Sequence, residues 1–298
     1  MPYIGRFAPS PTGPLHFGSL IAAVASYCDA KANQGQWLVR MEDLDKPREM
    51  QGAADTILHQ LSAFGFMWDD NVIYQSQRAE FYEEALQTLQ KHQQIYSCTC
   101  SRKEIVDSAI ATGTEGSIYP KTCLINPPKY SNHAAYRLAV PDTNIIFMDA
   151  IQGEIKQNLA RDIGDFVLKR ADGLFAYQLA VVVDDALQNI THIVRGADLL
   201  ASTPRQIYLQ QLLNFSTPHY AHVPVAVNTA GEKLSKQTFA KPIELGFASA
   251  LLTKALLFLG QKPPADLVHS SLIDIWQWAI ANWTLCTAPK LNIAPYTR

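Results

Sequence analysis

The apolar pattern changes period repeatedly over residues 3–92, and this alternation restricts the fold more than any other feature of the chain. Residues 3–8 are short and apolar and read as a strand ending at Ala8. Leu20, Ile21, Val24, Tyr27 and Cys28 then recur at helical spacing. The stretch "QWLVRMED" (36–43) alternates like a second strand, and Ile57, Leu58, Leu61 and Phe64 place one apolar face on a helix over 49–64. Another helix is expected from Ser76 to His92, through Phe81, Leu86 and Leu89. Strand, helix, strand, helix is the rhythm of a parallel α/β sheet. It breaks over 96–165, where cysteines, Pro127, Pro128 and short strand-like pieces appear. "DFVLKRADGLFAYQLAVVVDD" (165–185) reads as two strands around an Ala-Asp-Gly turn, and "ITHIVRGADLL" (190–200) as a return to the sheet. Beyond about residue 240 the pattern is helical.

With 298 residues and 48% apolar content, the chain can bury a sizeable core, and its length suggests roughly two domains. A net charge of -2 neither demands nor excludes a nucleic-acid partner, since a basic groove can sit on a neutral protein. No basic stretch followed by an apolar core opens the chain, and no apolar run approaches the roughly 20 residues of a membrane span. Five cysteines, an odd number without an export signal, argue for reduced thiols and a cytoplasmic protein. Cys98, Cys100 and Cys123 cluster, which points to metal; Cys28 and Cys286 read as core thiols.

Two loops carry candidate chemistry. "RFAPSPTGPLHFGSL" (6–20) leaves a strand and enters a helix, whose free N–H groups and positive dipole end suit a phosphate. Gly13 and Gly18 permit close backbone approach, and His16 can donate to phosphate oxygens. The same residues also suit an ordinary turn and helix cap. "GEKLSKQ" (231–237) sets Lys233, Ser235 and Lys236 where two ammonium groups and a hydroxyl can neutralise a leaving pyrophosphate. Composition alone favours a solvated lysine loop.

Taken together, "PLHFGS" resembles the HIGH signature of class I aminoacyl-tRNA synthetases and "KLSKQ" their KMSKS signature, in the expected order. "RMEDLD", "YQLAVVVDD" and "RGADLLASTPRQ" narrow the resemblance to the glutamate-specific branch, over most of residues 4–240. Phe17, Ser19 and Gln237 depart from the signatures and leave His16, Gly18 and Lys236 in place. The resemblance implies a Rossmann-type α/β catalytic fold: a first half over 1–95, an insertion over 96–165, a second half over 166–240 and a small helical domain over 241–298. It further implies that Arg6, Phe7, Ala8, Pro9, Ser10, Glu42, Tyr177 and Arg195 contact L-glutamate, with arginines for the carboxylates and Glu42 for the ammonium. His16 and Lys236 then serve as the catalytic pair. His16, Gly18, Lys233, Ser235 and Lys236 hold ATP, accompanied by Mg2+. Asp43 and Asp45 fit either pocket support or a cap on the following helix.

Cys98, Cys100 and Cys123 supply three thiolates, one short of a closed tetrahedral zinc site, and chemistry alone nominates His133 as the fourth ligand. The C-x-C followed by Tyr-x-x-x-Cys resembles the zinc motif of glutamyl-Q tRNA(Asp) synthetases. That resemblance implies Tyr119 instead, holding one structural Zn2+ in the insertion. Only 61 residues follow Gln237, too few for an anticodon-binding domain of ordinary size, which suits the truncated design of that family. The family transfers activated glutamate to queuosine at the wobble position of tRNA(Asp), and is consistent with a monomer. A short glutamyl-tRNA synthetase charging a tRNA 3′ end is the alternative, and a silent paralogue binding RNA or zinc a more distant one.

Overall fold

The computed structural model describes residues 2–109, 111–114, 116–129, 133–227, 241–291 and 293–295. Strand β1 (Ile4–Phe7) passes through the Pro/Gly loop into helix α1 (Phe17–Ala32), and β2 (Gln36–Met41) returns parallel to β1, with Ile4 opposite Gln36. Helix α2 (Ala53–Ala63) leads to β3 (Ile73–Tyr74) on the far edge of β2, and α3 (Ala79–Lys91) follows. Five of these six elements were expected from the sequence, β3 being the exception; α2 and α3 bury one face only, as their apolar spacing requires.

The middle of the chain builds smaller units. Strand β4 (Ile95–Cys98) precedes α4 (Arg102–Ser108), a two-stranded ribbon of β5 (Thr112–Gly113) and β6 (Gly116–Ser117), and the single turn α5 (Thr122–Ile125). Strand β7 (Ala135–Leu138) pairs antiparallel with β4, and β8 (Asn144–Asp149) forms a hairpin with β9 (Gly153–Asn158). Strand β10 (Phe166–Lys169) closes on β7.

The second half of the 165–185 stretch is helical, contrary to the two-strand expectation. The turn forms, with Gly173 at φ 88 and the Arg170 N–H donating to the Leu174 carbonyl (2.8 Å), but α6 (Tyr177–Leu187) follows it. Leu179 to Val183 are buried in succession, so the apolar run shows no helical period, and its valines favour a strand on propensity alone. Packing overrides that preference and carries Asp184 and Asp185 inside the molecule.

Strand β11 (His192–Gly196), α7 (Thr203–Leu212) and β12 (His219–Val223) restore the sheet, β11 and β12 being parallel. β11 lies beside β1, where the Thr191 N–H donates to the Ile4 carbonyl (2.9 Å). The spatial order is therefore β3, β2, β1, β11, β12, and the chain reverses direction of travel between β1 and β11. In such sheets ligands bind in the crevice outside the carboxyl ends of the strands at the reversal. After β13 (Val225–Val227), α8 (Ala248–Phe258) and α9 (Leu272–Asn282) pack against α1. The tail is not wholly helical: β14 (Ile293–Pro295) pairs parallel with β13. Cys28 is buried in α1, but Cys286 is exposed, correcting its reading as a core thiol; in its short turn of helix, Leu285 packs against the core and Cys286 stays outside. Among the described residues no helix is long and apolar enough to cross a membrane.

Candidate functional site

A cleft of about 430 Å³ opens at the chain reversal. The β1 loop contributes Arg6, Phe7, Ala8, Pro9 and Ser10; the start of α1 contributes His16 and Gly18. Glu42 enters from the end of β2, Tyr177 from the start of α6 and Arg195 from β11. These ten residues, singled out along 190 positions of sequence, thus line one cleft. The loop is tied down from β2, whose Glu42 N–H donates to the Pro9 carbonyl (3.0 Å), and Gly13 takes a φ of 140 that a side chain would strain. Lys233, Ser235 and Lys236 lie outside the described residues; beyond them, Pro242 bridges to His16 and the Ile243 N–H donates to the Leu15 carbonyl (2.9 Å).

His16 caps α1. Its Nδ1 accepts the Ser19 N–H (3.2 Å), while Ser19 Oγ accepts the His16 N–H (2.9 Å). An Nδ1 used as acceptor leaves the proton of the neutral ring on Nε2, which makes that nitrogen a donor.

Beneath the cleft lies a set of buried charges. Arg6 pairs with Asp185 (Nε–Oδ1 3.1 Å), Arg40 pairs with Asp185 (2.8 Å) and approaches Glu42 (3.6 Å), and Arg78 pairs with Asp184 (2.6 Å). Tyr82 and Gln75 also donate to Asp184, at 2.7 and 2.8 Å. Burial alone would raise the Asp185 carboxyl, but Arg6 and Arg40 reverse this and hold it below the usual range. For Glu42 burial prevails over Arg40 and Arg6, and its pKa is raised. Burial likewise raises Tyr177. Arg195 is held on several sides: Nε to His222 Nε2 (3.0 Å), Nη1 to the Tyr177 hydroxyl (3.3 Å) and Nη2 to Gln206 Oε1 (2.8 Å). Arg40, Asp184, Asp185 and His222 carried no assigned role in the sequence. The usable signal was an arginine inside an apolar strand, since such a group is buried only when paired. Asp43 accepts from the Ser76 N–H and hydroxyl (2.8 and 2.6 Å), whereas Asp45 pairs with exposed Arg48.

The three thiols meet away from the cleft. The Sγ atoms of Cys98, Cys100 and Cys123 all lie within 4.8 Å of one another, and no histidine or carboxylate joins this group among the described residues, His133 included. The Tyr119 hydroxyl is 3.4 Å from Cys98 Sγ and 3.5 Å from Cys100 Sγ, and it accepts the Cys123 N–H (2.9 Å). A tetrahedral ion with bonds of about 2.3 Å to sulfur spaces its sulfurs by about 3.8 Å, so the donor set fits zinc.

The family of tRNA synthetases class I (E and Q), catalytic domain, matches residues 4–250. Glutamyl-Q tRNA(Asp) synthetase of Dechloromonas aromatica (strain RCB) is 56% identical over 293 residues, covering 98% of this chain and 97% of the relative. The protein of the same name from Chromobacterium violaceum is 54% identical over 287 residues, covering 96% and 95%. Among solved structures, glutamate-tRNA synthetase of Elizabethkingia anophelis superposes with a TM-score of 0.78 over 100% of this chain and 68% of that one; at 24% identity it shares the fold. The mixed α/β arrangement is that of the class I synthetases, and the chain belongs to the glutamyl-Q tRNA(Asp) synthetases.

Proposed function

We propose that the cleft at the chain reversal is where L-glutamate meets ATP, and that its side chains perform the family's activity. The chain is a ligase: it activates glutamate as glutamyl-adenylate and transfers it to queuosine of tRNA(Asp). One observation carries the site assignment: two guanidiniums, a carboxylate and a capped helix N-terminus face one space.

Glutamate brings two carboxylates and one ammonium. Arg6 and Arg195 match the carboxylates, Glu42 the ammonium, and the Ser10 and Tyr177 hydroxyls, with the Phe7–Pro9 backbone, fill the remainder. The glutamate carboxylate attacks the α-phosphorus of ATP and pyrophosphate leaves. The protein contributes alignment and charge stabilisation, without a covalent intermediate. His16 Nε2–H donates to phosphate oxygen and Gly18 lets the α1 terminus approach it. Lys236, with Lys233 and Ser235 shaping its loop, neutralises the leaving group, and Mg2+ accompanies the nucleotide.

Cys98, Cys100, Cys123 and Tyr119 would hold one structural zinc ion, a cross-link that supplies no reaction chemistry. The Cys123 N–H donates to the Tyr119 oxygen and would help stabilise its anionic form on a bound ion. Residues 96–165 form the zinc-bearing insertion between catalytic halves at 1–95 and 166–240, and 241–298 the small C-terminal domain. The protein acts as a monomer.

Labelled glutamate, ATP and either queuosine-containing or queuosine-free tRNA(Asp) test the activity. Label is expected on the queuosine-containing RNA alone; charging of a tRNA(Glu) 3′ end instead would favour the short glutamyl-tRNA synthetase.

A further inference from the structure

We propose that Asp149 and His222 form a relay that fixes the Arg195 guanidinium in the cleft, making both of them positioning residues for glutamate. The relay has this role because Arg195 is taken, under the proposed function, to hold a substrate carboxylate.

The sheet sets the three residues side by side: Arg195 on β11 is in register with His222 on β12, and Tyr220 of β12 with Asp149 on β8. Asp149 and His222 are buried. Asp149 Oδ1 accepts the N–H groups of Ile151 (3.0 Å), Gln152 (2.8 Å) and His222 (3.2 Å), so the carboxylate is fixed by backbone. Its Oδ2 lies 2.6 Å from His222 Nδ1. Across the ring, Arg195 Nε–H points at Nε2 from 3.0 Å. A guanidinium has no acceptor, so Nε2 must accept, and the ring proton sits on Nδ1 and is donated to Asp149. The Thr203 hydroxyl, 3.2 Å from Nε2, also accepts from Arg195 Nη2 (2.9 Å). Burial, opposed by Asp149 and aided by Arg195, lowers the ring pKa to about 4, which keeps it neutral. A doubly protonated ring would set N–H against N–H and take away the acceptor that fixes Arg195 Nε, leaving only the contacts of its two Nη atoms. The long arginine side chain is thus ordered before substrate arrives, which removes an entropic cost from binding.

Asp149→Asn is the direct test. It preserves shape but turns an amide donor towards Nδ1, driving the proton to Nε2 against Arg195. In glutamate-dependent ATP–pyrophosphate exchange the glutamate KM should rise about tenfold, as for one lost charge-assisted hydrogen bond, with kcat and the ATP KM within about twofold. His222→Gln, which restores an acceptor, should be milder than His222→Phe. In the wild-type protein, 15N spectra of the ring should place the proton on Nδ1; a proton on Nε2 would overturn the relay whatever the variants do. Arg195→Ala separates the layers. If it leaves the glutamate KM unchanged, the cleft assignment fails and the relay with it. If it raises KM while a folded Asp149→Asn does not, the relay alone fails. A fall in kcat and melting temperature at constant KM also overturns it, since that marks a structural role.

Discussion

Around the cleft, Arg6, Arg40 and Arg195 are buried and held by side chains from several strands and helices. Around the thiols, the buried apolar cluster consists of Cys98, Tyr119 and Cys123, with Tyr96, Cys100 and Ile105 half-buried beside it. The cleft can afford fixed charges because two large cores, one around α1 and one around α6, surround it. The cysteine corner has almost no apolar surface to bury, and a unit that small requires a cross-link of another kind. Preorganisation comes from the core in the first region; in the second, the zinc proposed for the three thiols would supply it.

The largest effect is expected at Asp185. Asp185→Ala strands Arg6 and Arg40 without their shared carboxylate, and removing one partner of a buried pair costs about 3–5 kcal/mol. Urea unfolding should register that loss; a cost below about 1 kcal/mol would mean the pairs do not hold the cleft.

Glu42 comes next, and its two effects have opposite signs. Its folded-state pKa is raised by burial, so the stability it contributes is greatest at low pH and is lost as pH rises through the folded value. Glu42→Gln should therefore melt higher than wild type at neutral pH, and the difference should vanish in acid. The same variant should raise the glutamate KM about tenfold, having lost the partner of the ammonium. In wild type, glutamate affinity should begin to fall at a pH above the ordinary carboxylate range. Equal melting curves at pH 7 would contradict the burial argument.

Metal removal should act locally. Chelation, or Cys123→Ser, should open the region around residues 99–125 to protease while changing global stability by less than about 1 kcal/mol, because the thiol cluster is separate from both large cores. A global collapse on chelation would erase the contrast between the two regions.

The smallest effect is at Cys286. Its exposed thiol should react with a thiol reagent in the native metal-bound protein while buried Cys28 does not, and Cys286→Ser should leave activity unchanged. Chelation should expose Cys98, Cys100 and Cys123 to the reagent, and denaturation Cys28.

Much of this was legible in sequence where the physics is local. α1 and β2 announce themselves by period, and Cys98, Cys100 and Cys123 by their clustering; Tyr119 enters only through the resemblance, since chemistry alone nominates His133. α6 was misread because a helix buried all round loses its periodicity, leaving only valine propensity to judge by. Asp185, Arg40 and His222 stayed silent for another reason. Each matters through a partner more than 20 residues distant, and pairing at that range is decided by the tertiary fold. Cys286 had no periodic neighbours, so nothing in the sequence separated a core thiol from a surface one.

A crystal structure with a non-hydrolysable glutamyl-adenylate analogue would test the cleft most directly. The amino group should lie against Glu42, a carboxylate within about 3 Å of Arg6 or Arg195, and the phosphate beside His16 Nε2. An analogue bound outside this cleft, or one with its amino group turned towards the guanidiniums, would contradict the assignment.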